Sequence, residues 1–226
     1  MIPTPEPSAT QEPRWRRLPE ERPQQIIEAA FTVFGEKGLG GARLDDIAKR
    51  AGVSKGTIYL YFPNKEALFR EMIRQTMVVR LEAAQTAIDA DRGSPTEQLK
   101  VCMRAWWTYL RSAQYQTVFR LILAELPRFP DLAEFYAQEV IARAHRLVGG
   151  IIRRGIETRE FRDVDPVVAA RMLSAMLTMQ AIWCSHHQYF PTFVQKSEDE
   201  VLADIMDFYL HAVRRAPDAA GVSNAQ

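Results

Sequence analysis

Apolar side chains recur along this chain every three or four residues, which is the spacing of one buried face of an α-helix. The first such stripe predicts a helix over residues 20–36. It consists of Ile26, Ile27, Ala30, Phe31 and Phe34. Similar stripes follow up to about residue 215, and no strand-like alternation or hairpin sequence separates them. The pattern predicts an all-α protein of about nine helices.

Residues that favour helix starts mark where several of these helices begin. Asn64, Ser94, Asp165 and Ser197 each precede an apolar stripe, and their side chains can accept hydrogen bonds from the free N–H groups of a first turn. Each of the two serines is followed three residues later by a glutamate, which is the capping-box pattern. The helix after Asn64 is expected to reach about residue 90 and to link two parts of the protein.

Two adjacent glycines, Gly149 and Gly150, lie within a long helix predicted for residues 131–159. Glycine weakens a helix, because it has the largest backbone entropy to lose. We therefore expect this helix to bend near its middle.

The most specific pattern in the chain covers residues 44–68, whose sequence is LDDIAKRAGVSKGTIYLYFPNKEAL. Its first half has one apolar stripe that ends at Ala51, and Gly52 follows as a residue that closes a helix in the left-handed conformation. Ser54 is a good N-cap for a second helix, and Pro63 disfavours helix at the residue before it. Two short helices about a tight glycine turn predict a helix-turn-helix.

This stretch resembles the DNA-binding signature of TetR-type transcriptional regulators, and about 45 residues, from Gln24 to Phe69, follow the family pattern in order and spacing. The resemblance implies an N-terminal three-helix DNA-binding domain at residues 20–66. It also implies a larger helical domain at residues 67–216, which would dimerise and bind a small ligand. Beyond these domains we expect a disordered basic arm over residues 1–19 and a loose tail over residues 217–226.

The resemblance assigns eight residues to the contact with DNA. They are Arg43, Ser54, Lys55, Gly56, Thr57, Tyr59, Tyr61 and Lys65. Lys55 and Thr57, at the start of the second helix, are expected to reach base edges, and the missing side chain of Gly56 permits a close approach. The tyrosines and Lys65 suit phosphate oxygens. Aromatic packing between helices is the alternative for Tyr61, and it is what we expect of Phe62.

Basic residues are concentrated toward the N-terminal end. Residues 14–74 contain 12 Lys or Arg and 8 Asp or Glu, although the whole chain has a formal net charge of only +1. This distribution is consistent with DNA binding by that end. Arg43 stands where the family commonly has a capping serine or threonine; arginine cannot cap, but it can reach a phosphate. The cluster at residues 14–17 is either an arm that touches DNA or a solvated tail.

A single helix-turn-helix contacts only a half-site of a few base pairs, so specific binding to a double-stranded operator implies a two-fold dimer. The last two predicted helices are more apolar than one core face requires. Residues predicted at the interface of this homodimer are Leu173, Leu177, Leu202, Ile205 and Tyr209. Ordinary core packing is the alternative for them.

The C-terminal part is rich in large, adaptable side chains, which commonly line pockets between helices. The predicted pocket residues are Trp106, Trp107, Tyr109, Phe119, Phe135, Met176, Met179, Gln180 and Trp183. Gln180, His186, His187 and Arg120 are candidate polar anchors. We expect a small hydrophobic or aromatic effector; the alternative is that these aromatic residues form only core.

Several classes of function are excluded or disfavoured. His186 and His187 are adjacent and point in different directions on a helix, so we expect no metal and no cofactor. No nucleophile elbow or zinc-protease helix is present, so we expect no enzyme. Cys102 and Cys184 are the only cysteines, and they are expected to be buried reduced thiols. The N-terminus does not resemble a signal peptide, and no uncharged apolar run approaches ~20 residues, so a cytoplasmic protein without a membrane span is expected.

The sequence therefore predicts a homodimeric repressor that a small effector releases from its operator. An architectural DNA-binding protein without an effector is the first alternative, and a helical enzyme is the second.

Overall fold

A computed structural model of the protein describes residues 22–91, 93–189, 191 and 195–216. These residues are largely helical and contain no β-strand, although one isolated bridge pairs Phe161 with Arg214. The predicted all-α fold is confirmed. The basic arm and the loose tail predicted for the two ends lie outside the described residues.

Three helices form the N-terminal unit. They are α1 Arg22–Gly41, α2 Leu44–Ala51 and α3 Lys55–Tyr61. The predicted α1 stripe is buried among them, except that Phe31 is only half-buried. Gly38, with φ 70° and ψ 170°, interrupts the helical backbone of α1 two residues after the predicted end at residue 36, and the remaining residues to Gly41 lie beyond this kink.

A continuous helical run over residues 65–90 joins the two halves of the molecule. It consists of α4 Lys65–Ile73, a π-helical turn Arg74–Val78 and α5 Val79–Ala90. The side chain of Asn64 accepts a hydrogen bond from the backbone N–H of Ala67 at 2.7 Å, as predicted for the cap. α4 packs on α1, where the rings of Phe34 and Phe69 meet edge to face with centroids 5.8 Å apart. α4 therefore belongs to the core of the N-terminal unit.

Six further α-helices build the C-terminal half. They are α6 Pro95–Leu110, α7 Ala113–Glu125, α8 Pro130–Tyr136, α9 Ala142–Glu157, α10 Pro166–Ser185 and α11 Glu198–Val213. The predicted caps Ser94, Asp165 and Ser197 each accept a backbone N–H of the helix that follows. Ser197 forms the complete capping box with Glu200.

The predicted bend at Gly149 and Gly150 is wrong. Both glycines lie inside the unbroken helix α9, and the irregularity of this long helix is instead a second π-helical turn, Ala137–Ile141, between α8 and α9. Gly149 faces α10, and a Cβ atom at this position would lie 3.5 Å from the carbonyl oxygen of Pro166, which is an ordinary van der Waals distance.

Phe161 closes the connection between α9 and α10. Its side chain is buried, and its backbone N–H donates to the carbonyl oxygen of Gly155 at 2.9 Å. The ring covers Gly155 so closely that a Cβ atom there would lie 2.0 Å from a ring carbon. Arg162 N–H donates to the carbonyl oxygen of Val213 at 2.9 Å, which ties the end of α11 to this connection.

Next to Phe161, the carboxylate of Glu160 occupies the start of α6. It accepts hydrogen bonds from the Ser94 hydroxyl at 2.9 Å, the Thr96 hydroxyl at 2.7 Å and the Thr96 N–H at 3.2 Å. It also lines an open polar groove of about 440 Å³ together with Lys100, Arg214 and other residues. Burial acts to raise the pKa of Glu160, but the hydrogen bonds from Thr96 and Ser94 outweigh it and lower that pKa below its ordinary value of 4.5.

We expect Glu160→Gln to lower the melting temperature at neutral pH, because the charged carboxylate is the form that these donors stabilise. A lowered folded-state pKa contributes stability that is present above 4.5 and is lost as the pH falls through the folded-state value. The difference between variant and wild type should therefore shrink below about pH 4. Thermal unfolding followed by circular dichroism from pH 3 to 7 checks this. The control is Glu157→Gln, which changes an exposed residue nearby. An equal pH-dependent difference in melting temperature for this control would contradict the stabilising role assigned to the Glu160 carboxylate.

Candidate nucleic-acid interface

The turn between α2 and α3 has the geometry that the sequence predicts. Gly52 adopts φ 67° and ψ 30°, and its N–H donates to the carbonyl oxygen of Lys49. The next N–H, of Val53, donates to the carbonyl oxygen of Ala48 at 3.0 Å. Ile58 is fully buried and fixes α3 against the rest of the unit. These contacts hold the outer face of α3 toward solvent.

The first turn of α3 is stabilised by Ser54 and Thr57. The Ser54 hydroxyl accepts from the Thr57 N–H at 3.1 Å and also shares a hydrogen bond of 2.8 Å with the Thr57 hydroxyl. Ser54 is therefore the N-cap that the sequence predicts. The hydroxyl of Thr57 takes part in this cap and keeps further hydrogen-bonding capacity, and its methyl group is available for an apolar contact with a partner.

Lys55 forms an ion pair with Asp45 of α2, with the ammonium nitrogen 2.9 Å from Oδ2. The hydrogen bond that the Lys55 ammonium donates to this carboxylate raises the pKa of Lys55, so the side chain stays charged. The ammonium also lies 5.8 Å from the centre of the Tyr59 ring. Exposed ion pairs of this kind contribute little to stability. A phosphate or a guanine edge can therefore replace Asp45 at low cost.

Leu60 belongs to the outer face of α3 and was missed in the sequence. It is 81% exposed, and Lys55, Gly56 and Tyr59 are exposed beside it. The pattern contained the information, because Leu60 is two positions from the buried Ile58 and so lies on the opposite side of the helix. An apolar side chain on this surface suits the methyl group of thymine or the edge of a sugar.

Arg43 is exposed at the start of α2 and makes no side-chain capping hydrogen bond, as expected for an arginine. Lys65 has a different environment from the predicted phosphate contact. Its ammonium donates to the carbonyl oxygens of Gly40 at 2.9 Å and of Ala42 at 3.3 Å, and so it closes the α1–α2 connection. Tyr61 is half-buried, and Phe62 is buried in the core as expected.

The structure divides the predicted pocket residues among several places. Tyr109 and Phe119 both pack against Tyr115, with ring centroids 5.2 and 5.3 Å apart. Phe135 lies under the guanidinium of Arg74 at 5.0 Å. Trp107 is buried, with an indole N–H that has no hydrogen-bond partner among the described residues. Trp106, Met176, Gln180 and Trp183 are half-buried.

Met179 was predicted to line the pocket, and the structure corrects this prediction. Its side chain is 47% exposed on the surface rather than inside the C-terminal half. Among the proposed anchors, His186 and His187 lie on the surface just after α10. Arg120 lies on the exposed side of α7. Tyr136, which the aromatic composition of this half already indicated, is buried. Sequence reasoning missed Tyr115, which is buried beside Tyr109. Its spacing gave no indication, since the two tyrosines come from helices that meet only in the folded chain.

Four of the five predicted interface residues are also corrected. Leu173, Leu177, Ile205 and Tyr209 are buried in the core of a single chain, and the Tyr209 hydroxyl donates to the carbonyl oxygen of Ala169 at 2.8 Å. Leu202 is half-buried. Residues already covered by their own chain cannot form the surface of a partner contact. The exposed apolar residues of these helices include Val168, Met172, Met179 and Phe208.

α10 is apolar on two faces, which is why the pattern did not separate core from surface. This 20-residue helix contains an 18-residue window with a mean hydropathy of 1.4, so it is long and apolar enough to span a membrane by length and composition alone, although Arg171 lies within it. Only 33% of that window is buried. Core helices of soluble proteins meet the same criteria, and here one apolar face does pack in the core.

Comparison with known proteins gives two family matches that together cover most of the chain. Residues 26–72 match the family described as bacterial regulatory proteins, tetR family. Residues 97–214 match the family described as AefR-like transcriptional repressor, C-terminal domain. The first match contains the helix-turn-helix, and the second contains α6 to α11.

Similar proteins are bacterial regulators. A fatty acid metabolism regulator protein of Bacillus subtilis is 27% identical over 158 residues, which are 69% of this chain and 80% of that protein. An HTH-type transcriptional repressor of Streptomyces coelicolor is 30% identical over 177 residues, which are 74% of this chain and 80% of that protein.

Solved structures share the fold. A putative transcriptional regulator from Saccharomonospora viridis in complex with choline has a TM-score of 0.70 and 23% identity, covering 87% of this chain and 100% of that one. The regulator FadR from Bacillus subtilis in complex with stearoyl-CoA has a TM-score of 0.65 and 22% identity, covering 83% of this chain and 97% of that one.

Proposed function

The chain belongs to the TetR family of bacterial regulatory proteins, and from this premise we propose that it is a ligand-responsive repressor that binds a palindromic operator as a homodimer in the cytoplasm. The observation that carries the DNA-binding part is the outer face of α3, where Lys55, Gly56, Tyr59 and Leu60 are all exposed on a helix whose inner residue Ile58 is buried. A face of this composition suits the major groove.

In this proposal α3 enters the major groove with its first turn toward the base edges. Lys55 leaves Asp45 and donates to a guanine or a phosphate, and Thr57 offers its methyl group while its hydroxyl completes the cap with Ser54. Arg43 and the tyrosines contact phosphates beside it. Lys65 contributes by holding the α1–α2 connection, through Gly40 and Ala42, in the position from which Arg43 reaches the DNA.

Thr57→Ala is expected to weaken operator binding by about 1–3 kcal/mol and to relax the preference at one base pair of each half-site. Thr57→Ser keeps the hydroxyl bond to Ser54 but removes the methyl group, so it should lose the preference without loosening the cap. Gel-shift titrations against the operator and against each single-base variant measure both effects. Unchanged affinity of Thr57→Ala for every site would remove Thr57 from the interface.

The homodimer would use the exposed side of α10 and α11. Val168, Met172 and Met179 are spaced by four and seven residues on α10 and form one exposed apolar stripe, with Phe208 exposed on α11. Contiguous exposed apolar surface of this kind favours burial against a partner. A two-fold pairing of the stripe would hold the two α3 helices at the spacing of one DNA turn, about 34–36 Å.

An effector would act through the C-terminal half. Two proteins of this fold carry small molecules, choline in one and stearoyl-CoA in the other, which supports a small-molecule role for this half of the chain. To change operator occupancy strongly, the effector must bind the DNA-incompetent conformer better by several kcal/mol. The helical run 65–90 connects the two halves, and Gly40 N–H meets the Glu125 carboxylate of α7 at 3.4 Å as a second connection.

An effector-independent architectural DNA-binding protein remains the second candidate, and the burial of Trp107, Tyr115 and Tyr136 favours it. Tightly packed aromatic side chains leave little room for a ligand unless the helices separate. Thermal unfolding in the presence of a panel of apolar compounds distinguishes the two functions. A shift of the melting temperature with loss of operator binding supports the effector, and no shift with any compound supports the architectural protein.

A further inference from the structure

Three tyrosines from three different helices meet inside the C-terminal half; Tyr115 and Tyr136 are buried, and Tyr109 is half-buried. Tyr109 of α6 and Tyr115 of α7 have ring centroids 5.2 Å apart, and Tyr136 ends α8. Burial raises the pKa of Tyr136 to about 12. Burial likewise raises the pKa of Tyr115, with smaller contributions from Tyr136 and Tyr109 in the same direction, whereas the Thr178 hydroxyl of α10 acts to lower it. Four helices therefore direct hydroxyl groups to one place.

One of these hydroxyls is poorly satisfied. The Tyr109 oxygen is buried and forms no well-aligned hydrogen bond with the described residues. Burial raises the pKa of Tyr109, and the adjacent Thr76 hydroxyl acts to lower it. Thr76 itself donates its hydroxyl proton to the carbonyl oxygen of Met72 at 2.5 Å. A buried hydroxyl without a well-formed hydrogen bond is unfavourable. An oxygen atom of a ligand would remove this cost.

The edge of the cluster is cationic. The guanidinium of Arg80 lies 4.8 Å from the centre of the Tyr109 ring, and that of Arg74 lies 5.0 Å from the centre of the Phe135 ring. Both arginines are exposed, while Tyr109, Phe119 and Phe135 are half-buried, so the cluster borders the surface on this side. The two cations already cover aromatic faces that a ligand ammonium would need, and they attract an anion.

The cluster also lies at the two irregular points of the helical frame. Thr76 is inside the π-helical turn Arg74–Val78, and Tyr136 immediately precedes the π-helical turn Ala137–Ile141, which packs against the first one. π-helical turns inside α-helices occur frequently at functional sites. The first turn separates α4, which packs on α1, from α5. A change at Thr76 is therefore placed where it can reorient the N-terminal unit.

We propose that this hydroxyl cluster, formed by Tyr109, Tyr115, Tyr136, Thr76 and Thr178, binds the carboxylate end of an amphipathic effector, whose apolar body packs against Phe119 and Phe135. The inference rests on the effector-responsive function proposed above. The tyrosine hydroxyls donate to the carboxylate, and Arg74 and Arg80 attract it at the entrance. Occupancy separates the two π-helical turns, and the movement of α4 changes the spacing of the α3 helices in the dimer.

Two probes of equal chain length and opposite charge test this proposal, octanoate and octyltrimethylammonium. Octanoate at about ten times its Kd should raise the melting temperature of the full-length dimer by about 3–6 °C and lower operator affinity, and the ammonium should do neither. Tyr109→Phe should weaken octanoate binding about 5- to 10-fold while leaving operator binding in the absence of octanoate unchanged. Tyr189→Phe, an exposed tyrosine after α10, is the matched control.

Stabilisation by octyltrimethylammonium equal to or greater than that by octanoate would overturn the carboxylate assignment. An octanoate response unchanged in both Tyr109→Phe and a Tyr115→Phe variant would overturn the location. The proposal would also be overturned if neither probe changed the melting temperature or the operator affinity of the folded wild-type protein. In each of these cases intact operator binding would leave the DNA-binding function standing, whereas failure of wild type to bind any operator would count against the proposed function itself.

Discussion

Gly155→Ala should lower the free energy of unfolding by about 3 kcal/mol, because the new methyl group has no space. A Cβ atom at this position would lie 2.0, 2.4 and 2.7 Å from three ring carbons of Phe161, and contacts below 3 Å require atoms to move. Phe161 cannot easily move, since it is buried and its N–H is bonded to the carbonyl oxygen of Gly155 itself. Urea denaturation followed by circular dichroism measures the change.

Gly150→Ala on the same helix is the matched control. Its Cβ atom would meet only the end of the Arg154 side chain at 3.9 Å. It should therefore stabilise the protein by up to about 1 kcal/mol, because alanine favours the helix over glycine. Combining Gly155→Ala with Phe161→Ala should recover part of the Gly155→Ala loss relative to Phe161→Ala alone. Equal effects of the two glycine substitutions would show that the Phe161 contact is not what constrains Gly155.

Aspartate at both Met172 and Met179 should convert the dimer into folded monomers. These side chains are 51% and 47% exposed on a single chain, so the monomer tolerates the charges. In a dimer that buries them, the unpaired carboxylates would be strongly destabilising. Operator affinity should fall by at least about 100-fold, because a single half-site retains only part of the binding free energy. Analytical ultracentrifugation and gel shifts measure the two effects.

Two further variants distinguish a dimer interface at Met172 and Met179 from other effects of an introduced carboxylate. Val101→Asp places a carboxylate at a similarly exposed apolar position of α6 and should leave the dimer intact. Leu177→Asp places it in the core of one chain and should unfold the protein rather than dissociate it, since Leu177 is fully buried. A dimer that survives in the folded Met172 and Met179 double variant would place the interface on another surface.

Local sequence determined most of what could be predicted. Asn64, Asp165 and Ser197 cap their helices as expected, because capping involves residues only two or three positions apart. The helix-turn-helix could be predicted for the same reason, because the αL conformation of Gly52 and the cap at Ser54 both depend on neighbouring residues. Chemistry that depends on a few neighbouring residues leaves a readable pattern in the sequence.

Features that depend on distant packing could not be predicted. The pattern of α10 shows two apolar faces, and only the folded chain shows that Leu173 and Leu177 face inward while Met172 and Met179 face outward. The role of Lys65 likewise depends on carbonyl groups more than 20 positions earlier in the chain. Gly149 was interpreted as a weakness in a helix, although it lies inside the unbroken helix α9 and faces Pro166 of α10.

The predicted effector region illustrates the same limit within one site. Its aromatic composition drew attention to Tyr109, Phe119 and Phe135, but it could not group them, because these residues come from three helices that meet only in the folded chain. Gln180 was expected to be the polar anchor as a polar residue in an apolar helix. The structure leaves Gln180 half-exposed and buries tyrosine hydroxyls instead.

Selection of binding sites from a pool of randomised duplex DNA tests the central claim most directly. With the purified wild-type protein, we expect enrichment of palindromes whose half-site centres are about 10–10.5 base pairs apart, since two α3 helices related by a two-fold axis would contact successive major grooves. Selection of no sequence, or of an asymmetric site without a repeated half, would contradict the account of a dimeric operator-binding protein.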